Sequence, residues 1–130
     1  MKPWLAPGIV LLLVALVMAV PLSAHHGTSP YDSTKLTTVK GSVTSFEFIN
    51  PHVEIYMDVK ADDGKIQKWV GEANSPGVLA RHGWSRDILH AGDQITLIGN
   101  RTKNGTFMLR LQKVVLPDGR ELDPNSITDN

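Results

Sequence analysis

Three histidines in the first half of the chain, His25, His26 and His52, carry side chains that can bind a metal ion. If a signal peptidase cuts after Ala24, His25 becomes the first residue, and its free amine and ring Nδ1 can chelate one ion. A second histidine, His52 or His26, would supply a third nitrogen. Amine and imidazole nitrogens suit Cu(II), which stands high in the Irving–Williams order of affinities. The sequence therefore predicts a copper site at a newly formed N-terminus.

The alternative is that His25 and His26 belong to a polar arm, and that His52 is a turn residue bonded to nearby backbone. A zinc site made of the same three histidines has less support, because neither a fourth ligand nor a typical zinc spacing is visible. The copper arrangement resembles the site of exported copper chaperones and copper oxygenases. That resemblance implies copper as the cofactor.

A second set of side chains could hold an extended ligand: Tyr56, Trp69, Glu54 and Glu72. Aromatic rings can stack on a ligand while carboxylates accept its hydrogen bonds. OB-folds present such side chains across the face of their second and third strands. The predicted ligand is a cell-envelope glycan or a protein partner. The alternative is that Trp69 packs in the core and that the two glutamates lie on a solvated face.

The sequence lacks the minimal motifs of the common enzyme classes. It contains no G-x-S-x-G elbow, no H-E-x-x-H motif, no phosphate-binding loop and no cysteine nucleophile. We therefore expect a binding protein with no catalytic residues.

The start of the chain has the features of an export signal. Lys2 gives a positive charge, residues 8–20 are apolar, and small residues precede Ala24. The apolar run is shorter than the roughly 20 residues that a membrane span needs. We expect residues 1–24 to be a removed signal peptide and the remaining domain to be periplasmic. The alternative is an uncleaved N-terminal anchor, which would be the only contact with the membrane.

Composition narrows the class of protein further. The chain has 13 Lys and Arg against 13 Asp and Glu, and the two signs are interspersed. This excludes the clustered basic surface of a nucleic-acid-binding protein. The absence of cysteine excludes disulfides and thiolate metal sites. The length after the signal fits one domain of about 100 residues.

Alternation of apolar and polar residues predicts five strands. The first covers residues 39–48 and slips by one residue in phase, which predicts a bulge near Ser45. The second and third cover residues 53–59 and 65–73, joined by a tight turn at Asp62-Asp63-Gly64. The fourth and fifth cover residues 95–99 and 107–116, joined at Asn104-Gly105. A further small hairpin is allowed at Asp118-Gly119.

One short helix is predicted between the third and fourth strands. Asn74-Ser75-Pro76 offers a capping side chain and then a proline at the first helical position, and Gly83 stops the helix. The predicted order is three strands, one helix and two further strands, which is the element order of an OB-fold.

The predicted fold class is therefore all-β with one short helix, a five- to six-stranded OB-like antiparallel β-barrel. Residues 25–36 would form an extended N-terminal arm, residues 37–122 the barrel, and residues 123–130 a flexible tail. A six-stranded barrel of other topology or a small sandwich would give a similar pattern.

Short motifs spread over most of the chain resemble those of a family of small exported bacterial proteins of unknown function. The motifs are Ala24-His25-His26, Gly41-Ser42-Val43, Asn50-Pro51-His52, Trp69, Arg81-His82-Gly83-Trp84, Gly92-Asp93 and Leu116-Pro117-Asp118-Gly119-Arg120. The resemblance implies a periplasmic β-barrel domain without an assigned activity. The family typically has a second basic residue at the position of His82, which implies that His82 is not a required ligand.

Overall fold

The computed structural model describes residues 29–125. Its elements are β1 Tyr31–Glu47, β2 Glu54–Lys60, β3 Ile66–Glu72, α1 Pro76–Ala80, β4 Gln94–Thr102, β5 Met108–Val115 and β6 Glu121–Leu122. The described residues contain no helix long and apolar enough to cross a membrane.

The six strands form one mostly antiparallel sheet in the order β3-β2-β1-β4-β5-β6. An additional parallel pairing joins β3 to β5, so the five longer strands close into a hydrogen-bonded ring. The predicted all-β class, the strand order along the chain and the single helix between β3 and β4 are confirmed.

β1 is long because it pairs with both β2 and β4. Its register with β2 shifts between Val43 and Ser45, which confirms the predicted bulge. The strand begins at Tyr31, however, so residues 31–36 of the predicted arm belong to β1 and pair irregularly with β4. Residues 33–36 are all exposed, so this part of β1 lacks the alternation of buried and exposed residues that marks a strand in the sequence.

The turns lie where the sequence predicts them. Gly64 and Gly105 have φ of +83° and +81°, a conformation that costs little only for glycine, and each lies in the predicted hairpin turn. Pro76 occupies the start of α1 as predicted, but Ser75 at the N-cap makes no capping hydrogen bond through its side chain. The Asn74 side chain instead bonds to Arg110 and to the backbone of Pro124.

One core fills the interior of the ring. Alternate residues of β2 point into it: Ile55 and Met57 are almost fully buried, whereas Glu54 and Tyr56 face outward. The short helix contributes the fully buried Leu79 to the same core. This alternation is what places the polar residues of β2 and β3 together on the outer face.

The segment after β6 also packs on the ring. Pro124 is fully buried, and the Asn125 side chain donates to the backbone oxygen of Leu111 at 3.1 Å. Residues 123–125, which the sequence assigned to the flexible tail, are therefore attached to β5.

Candidate functional site

A polar cluster on the outer face of β2, β3 and β5 brings together six side chains from separate parts of the chain. We call this the Glu72 cluster; its members are Tyr31, His52, Glu54, Tyr56, Glu72 and Arg110. Glu54 and Glu72 are directly opposite each other in the antiparallel register of β2 and β3. Glu72 and Arg110 are opposite each other in the parallel register of β3 and β5.

Glu72 has contacts on both carboxylate oxygens. Arg110 Nη1 donates to Oε1 at 3.0 Å, and the Tyr31 hydroxyl donates to Oε2 at 3.4 Å. His52 Nδ1 lies 3.6 Å from Oε1, within ion-pair range but beyond a normal hydrogen bond. The Glu72 side chain is only 16% exposed, whereas that of His52 is 47% exposed.

Arg110 is itself held by a second partner. Its Nη2 donates to Asn74 Oδ1 at 3.1 Å, and Asn74 Nδ2 donates to the backbone oxygen of Pro124 at 3.0 Å. The guanidinium therefore has one nitrogen on a carboxylate and one on an amide. This arrangement fixes the direction of the Glu72 carboxylate from the β5 side.

Glu54 is paired along its own strand. The Tyr56 hydroxyl donates to Glu54 Oε2. This hydrogen bond, followed by burial and the negative charge of Glu54, raises the pKa of Tyr56 to about 12. Burial is the main cause that raises the pKa of Tyr31, followed by the negative charge of Glu72. Both phenols are therefore protonated hydrogen-bond donors at neutral pH.

The structure brings four of the predicted site residues together. His52, predicted as a metal ligand, lies beside Glu72, and Glu54 and Tyr56 lie on the same face. His25 and His26 lie outside the described residues.

Trp69 does not belong to this face. It is 4% exposed and part of the core, and its Nε1 donates to Gln67 Oε1 at 2.9 Å. Phe107 and the Arg101 guanidinium cover its ring. The Phe107 ring centroid and the Arg101 Cζ atom each lie 5.1 Å from the Trp69 ring centroid. Trp69 is thus a core residue, as in the alternative interpretation, and its ring does not lie on the surface of the Glu72 cluster.

Sequence reasoning missed Tyr31 and Arg110. Tyr31 fell in the segment read as an arm, and nothing in the local pattern pairs residue 110 with residue 72. The signal that could have found Arg110 is its outward position between the apolar Leu109 and Leu111 on a predicted strand. A lone cation on an otherwise half-buried strand face commonly has a carboxylate partner.

The described part of the chain does not hold a complete metal site. No group of three histidine, aspartate or glutamate residues within it is arranged to bind an ion. The Glu72 cluster supplies one exposed imidazole and two carboxylates, Glu72 bonded to Arg110 and Tyr31 and Glu54 bonded to Tyr56. A metal at His52 would need further nitrogen donors.

A family model described as a family of unknown function, DUF6152, matches residues 13–109. The comparison with curated proteins gave no match.

Proposed function

The chain belongs to the DUF6152 family. For this member we propose the function of an exported, periplasmic binding module that binds Cu(II). The ligands are the N-terminal amine and Nδ1 of His25, freed by cleavage after Ala24, and the imidazole of His52. His26 is the alternative third ligand. Residues 1–24 act as the signal peptide in this proposal.

One observation supports the proposal: the first residue of β1, Tyr31, contacts the same carboxylate as His52. Tyr31 and His52 approach the two oxygens of the same Glu72 carboxylate, at 3.4 Å and 3.6 Å. His25 precedes Tyr31 by six positions, a stretch that reaches at most about 20 Å when extended. The chain is therefore long enough for the His25 nitrogens to meet the His52 ring.

The donor set determines the metal. Two imidazoles and one amine are nitrogen ligands of the kind that Cu(II) prefers, and copper outcompetes the other divalent first-row ions at such ligands. The charge of Glu72 next to His52 adds a negative group close to the ion without occupying a coordination position.

The architecture supports a binding module in general terms. Five strands closed by the β3–β5 pairing, with a helix between the third and fourth strands, fit an OB-like barrel. In such barrels the face of strands two and three is a common ligand-binding surface, and the Glu72 cluster lies on that face.

Isothermal titration calorimetry with Cu(II) tests the proposal on protein purified from the periplasm with its authentic N-terminus. We expect one tight site per chain, which an added residue before His25 abolishes because it blocks the amine chelate. His52→Gln should weaken binding by roughly tenfold or more. His90→Gln is the matched control, because the His90 side chain is 70% exposed and contacts Asp93 instead of the Glu72 cluster.

Two results would reject the copper site. One is an unchanged affinity after the N-terminal addition, and the other is a secreted form that starts at a residue other than His25. Mass spectrometry of the exported protein gives the second result directly.

A second candidate function is recognition of a cell-envelope glycan or protein partner without metal. The observation that favours it is the pair of half-buried tyrosines, Tyr31 and Tyr56, beside the carboxylates of Glu54 and Glu72. Titration with envelope glycan fragments should then shift NMR signals of β2 and β3, and Tyr56→Ala should remove the shifts. Shifts confined to other strands would reject this candidate.

A further inference from the structure

We propose that Glu72 is a positioning residue that keeps the proton of the His52 ring on Nδ1 and leaves Nε2 as the metal-binding atom. The inference rests on the proposed copper site for its ligand. Its central test is made on metal-free protein and does not depend on that site.

The Glu72 carboxylate is fixed independently of His52. Arg110 Nη1 lies 3.0 Å from Oε1, and the Tyr31 hydroxyl lies 3.4 Å from Oε2. Asn74 accepts from Arg110 at 3.1 Å and so holds the guanidinium in place. With its side chain 16% exposed, Glu72 is a largely buried, anchored negative charge.

His52 is arranged differently, with one nitrogen near this charge and a ring that is half exposed. Its Nδ1 is 3.6 Å from Glu72 Oε1, and 47% of the side chain is exposed. A neutral imidazole carries its proton on either nitrogen, and the neighbouring group decides which one. A carboxylate beside Nδ1 stabilises the Nδ1–H form and leaves the lone pair on Nε2.

This is the usual arrangement around a metal-binding histidine. Such residues commonly donate their second ring N–H to a carboxylate, which fixes the tautomer and the ring orientation and strengthens the ligand. At 3.6 Å the contact is electrostatic in the metal-free protein. Metal at Nε2 makes Nδ1–H a stronger donor, and this favours a shorter contact.

Glu72 does not coordinate the ion itself in this arrangement. Arg110 and Tyr31 already engage its two oxygens, and a direct bond to the metal would break one of these contacts. Replacing Glu72 should therefore lower the affinity for copper without changing the number of coordinating nitrogens.

NMR of the histidine ring nitrogens in ¹⁵N-labelled, metal-free protein tests the tautomer of the neutral His52 ring. The His52 ring signals are identified as those missing from the spectrum of His52→Gln. We expect His52 of the wild-type protein to carry the proton on Nδ1. Glu72→Gln should move the ring toward the Nε2–H form, because the amide no longer provides a negative charge.

Asp58→Asn is the matched control. It also removes one negative charge from the outer face of β2 and β3, but Asp58 pairs with the exposed Lys68 at 2.6 Å and not with His52. The His52 tautomer should be unchanged in this variant. Folding of the variants does not limit the test, because the wild-type spectrum alone shows which nitrogen carries the proton.

Cu(II) titration of the same variants completes the experiment. We expect Glu72→Gln to weaken binding by about 10- to 100-fold, the usual effect of removing such a partner, and Asp58→Asn to leave it unchanged. A wild-type His52 with its proton on Nε2, or an unaltered tautomer in Glu72→Gln, overturns the role of Glu72. If the tautomer is as expected but the wild-type protein does not bind copper, the copper proposal fails while the positioning of His52 stands.

Discussion

Glu54 and Glu72 face each other directly across β2 and β3, and each carboxylate is bonded to a different neighbour. Glu54 accepts from Tyr56 on its own strand, whereas Glu72 accepts from Arg110 on β5. Like charges at opposed positions on one face of a sheet destabilise the pairing. The two partners therefore offset a repulsion that is built into the centre of the Glu72 cluster.

Removing the Arg110 charge should expose that repulsion. We expect Arg110→Gln to lower the free energy of unfolding by about 1–3 kcal/mol, because a largely buried carboxylate loses its charged donor. Urea unfolding followed by circular dichroism measures the loss.

The control for this prediction is Lys68→Gln. The Lys68 side chain is 77% exposed, and its ion pair with Asp58 should contribute less than about 1 kcal/mol. Equal losses in the two variants would mean that Arg110 acts as an ordinary surface charge.

The two tyrosines of the chain should both titrate above the ordinary phenol range. The pKa of Tyr56 is raised from 10.0 to about 12, and that of Tyr31 is raised as well. Spectrophotometric titration of the folded protein should therefore show that less than half of the tyrosine is ionised at pH 10. A half-ionised sample at that pH would contradict the hydrogen bonds to Glu54 and Glu72.

The same shift links stability to pH. The folded protein holds the Tyr56 proton more tightly than the unfolded chain does, so the stabilisation is present below pH 10 and is lost as the pH rises toward 12. Tyr56→Phe removes the ionising group. Its free energy of unfolding should fall less steeply over that range than that of the wild-type protein.

The sequence predicted the fold well because its signals are local. The phase slip between Val43 and Phe46 marked the bulge, and the glycines of the tight turns marked the hairpins. Four of the six residues of the Glu72 cluster were also named from the sequence, two of them, Glu54 and Tyr56, because they alternate with core residues on one strand.

The rest of the site could not be predicted because it depends on contacts between distant segments. The pairing of Glu72 with Arg110 follows from the parallel β3–β5 register, which no local pattern encodes. Trp69 lies at a strand position that faces the core. An aromatic side chain, however, can belong to a core or to a ligand-binding surface, so its residue type did not decide between the two. Tyr31 was missed because several exposed residues follow it in succession, so the sequence shows no strand alternation at the start of β1.

Asn100 should be important for holding that first part of β1. It is 9% exposed, and its Nδ2 donates to the backbone oxygens of Asp32 and Lys35 at 2.9 and 3.1 Å. Its Oδ1 accepts from Gln112 at 3.0 Å. These bonds span the irregular stretch where β1 shifts register against β4.

We expect Asn100→Ala to cost about 1–3 kcal/mol, since it leaves buried polar groups without partners. Amide hydrogen exchange should accelerate most at the start of β1, which would also loosen Tyr31 from Glu72. Gln94→Ala is the control, because the Gln94 side chain makes one long, exposed bond of 3.5 Å to Gly92. Uniform acceleration over the whole sheet would argue against a local role for Asn100.

The close approach of β1 and β2 leaves no room for a side chain at Gly41. A Cβ added at Gly41 would lie 2.1 Å from the backbone oxygen of Asp58 on β2. Backbone atoms of a paired strand cannot move away without breaking the pairing, so Gly41→Ala should cost roughly 3 kcal/mol or more, at or above the usual range for overpacking. Because Gly41 also pairs with Ile95 on β4, the variant should disturb both neighbours of β1.

Alanine substitutions at Gly71 and Gly77 distinguish the steric effect at Gly41 from the general cost of replacing a glycine. A Cβ at Gly71 would meet side-chain atoms of Leu111 and Leu97 at 2.8 and 2.9 Å, and these buried side chains would have to repack. Gly71→Ala should therefore cost about 1–3 kcal/mol. A Cβ at Gly77 meets nothing within 4 Å, so alanine there should stabilise α1 by up to about 1 kcal/mol. Urea unfolding should show the largest loss of stability for Gly41→Ala, a smaller loss for Gly71→Ala and none for Gly77→Ala. A Gly41→Ala protein as stable as wild type would mean that β1 and β2 are not packed closely enough to close the ring.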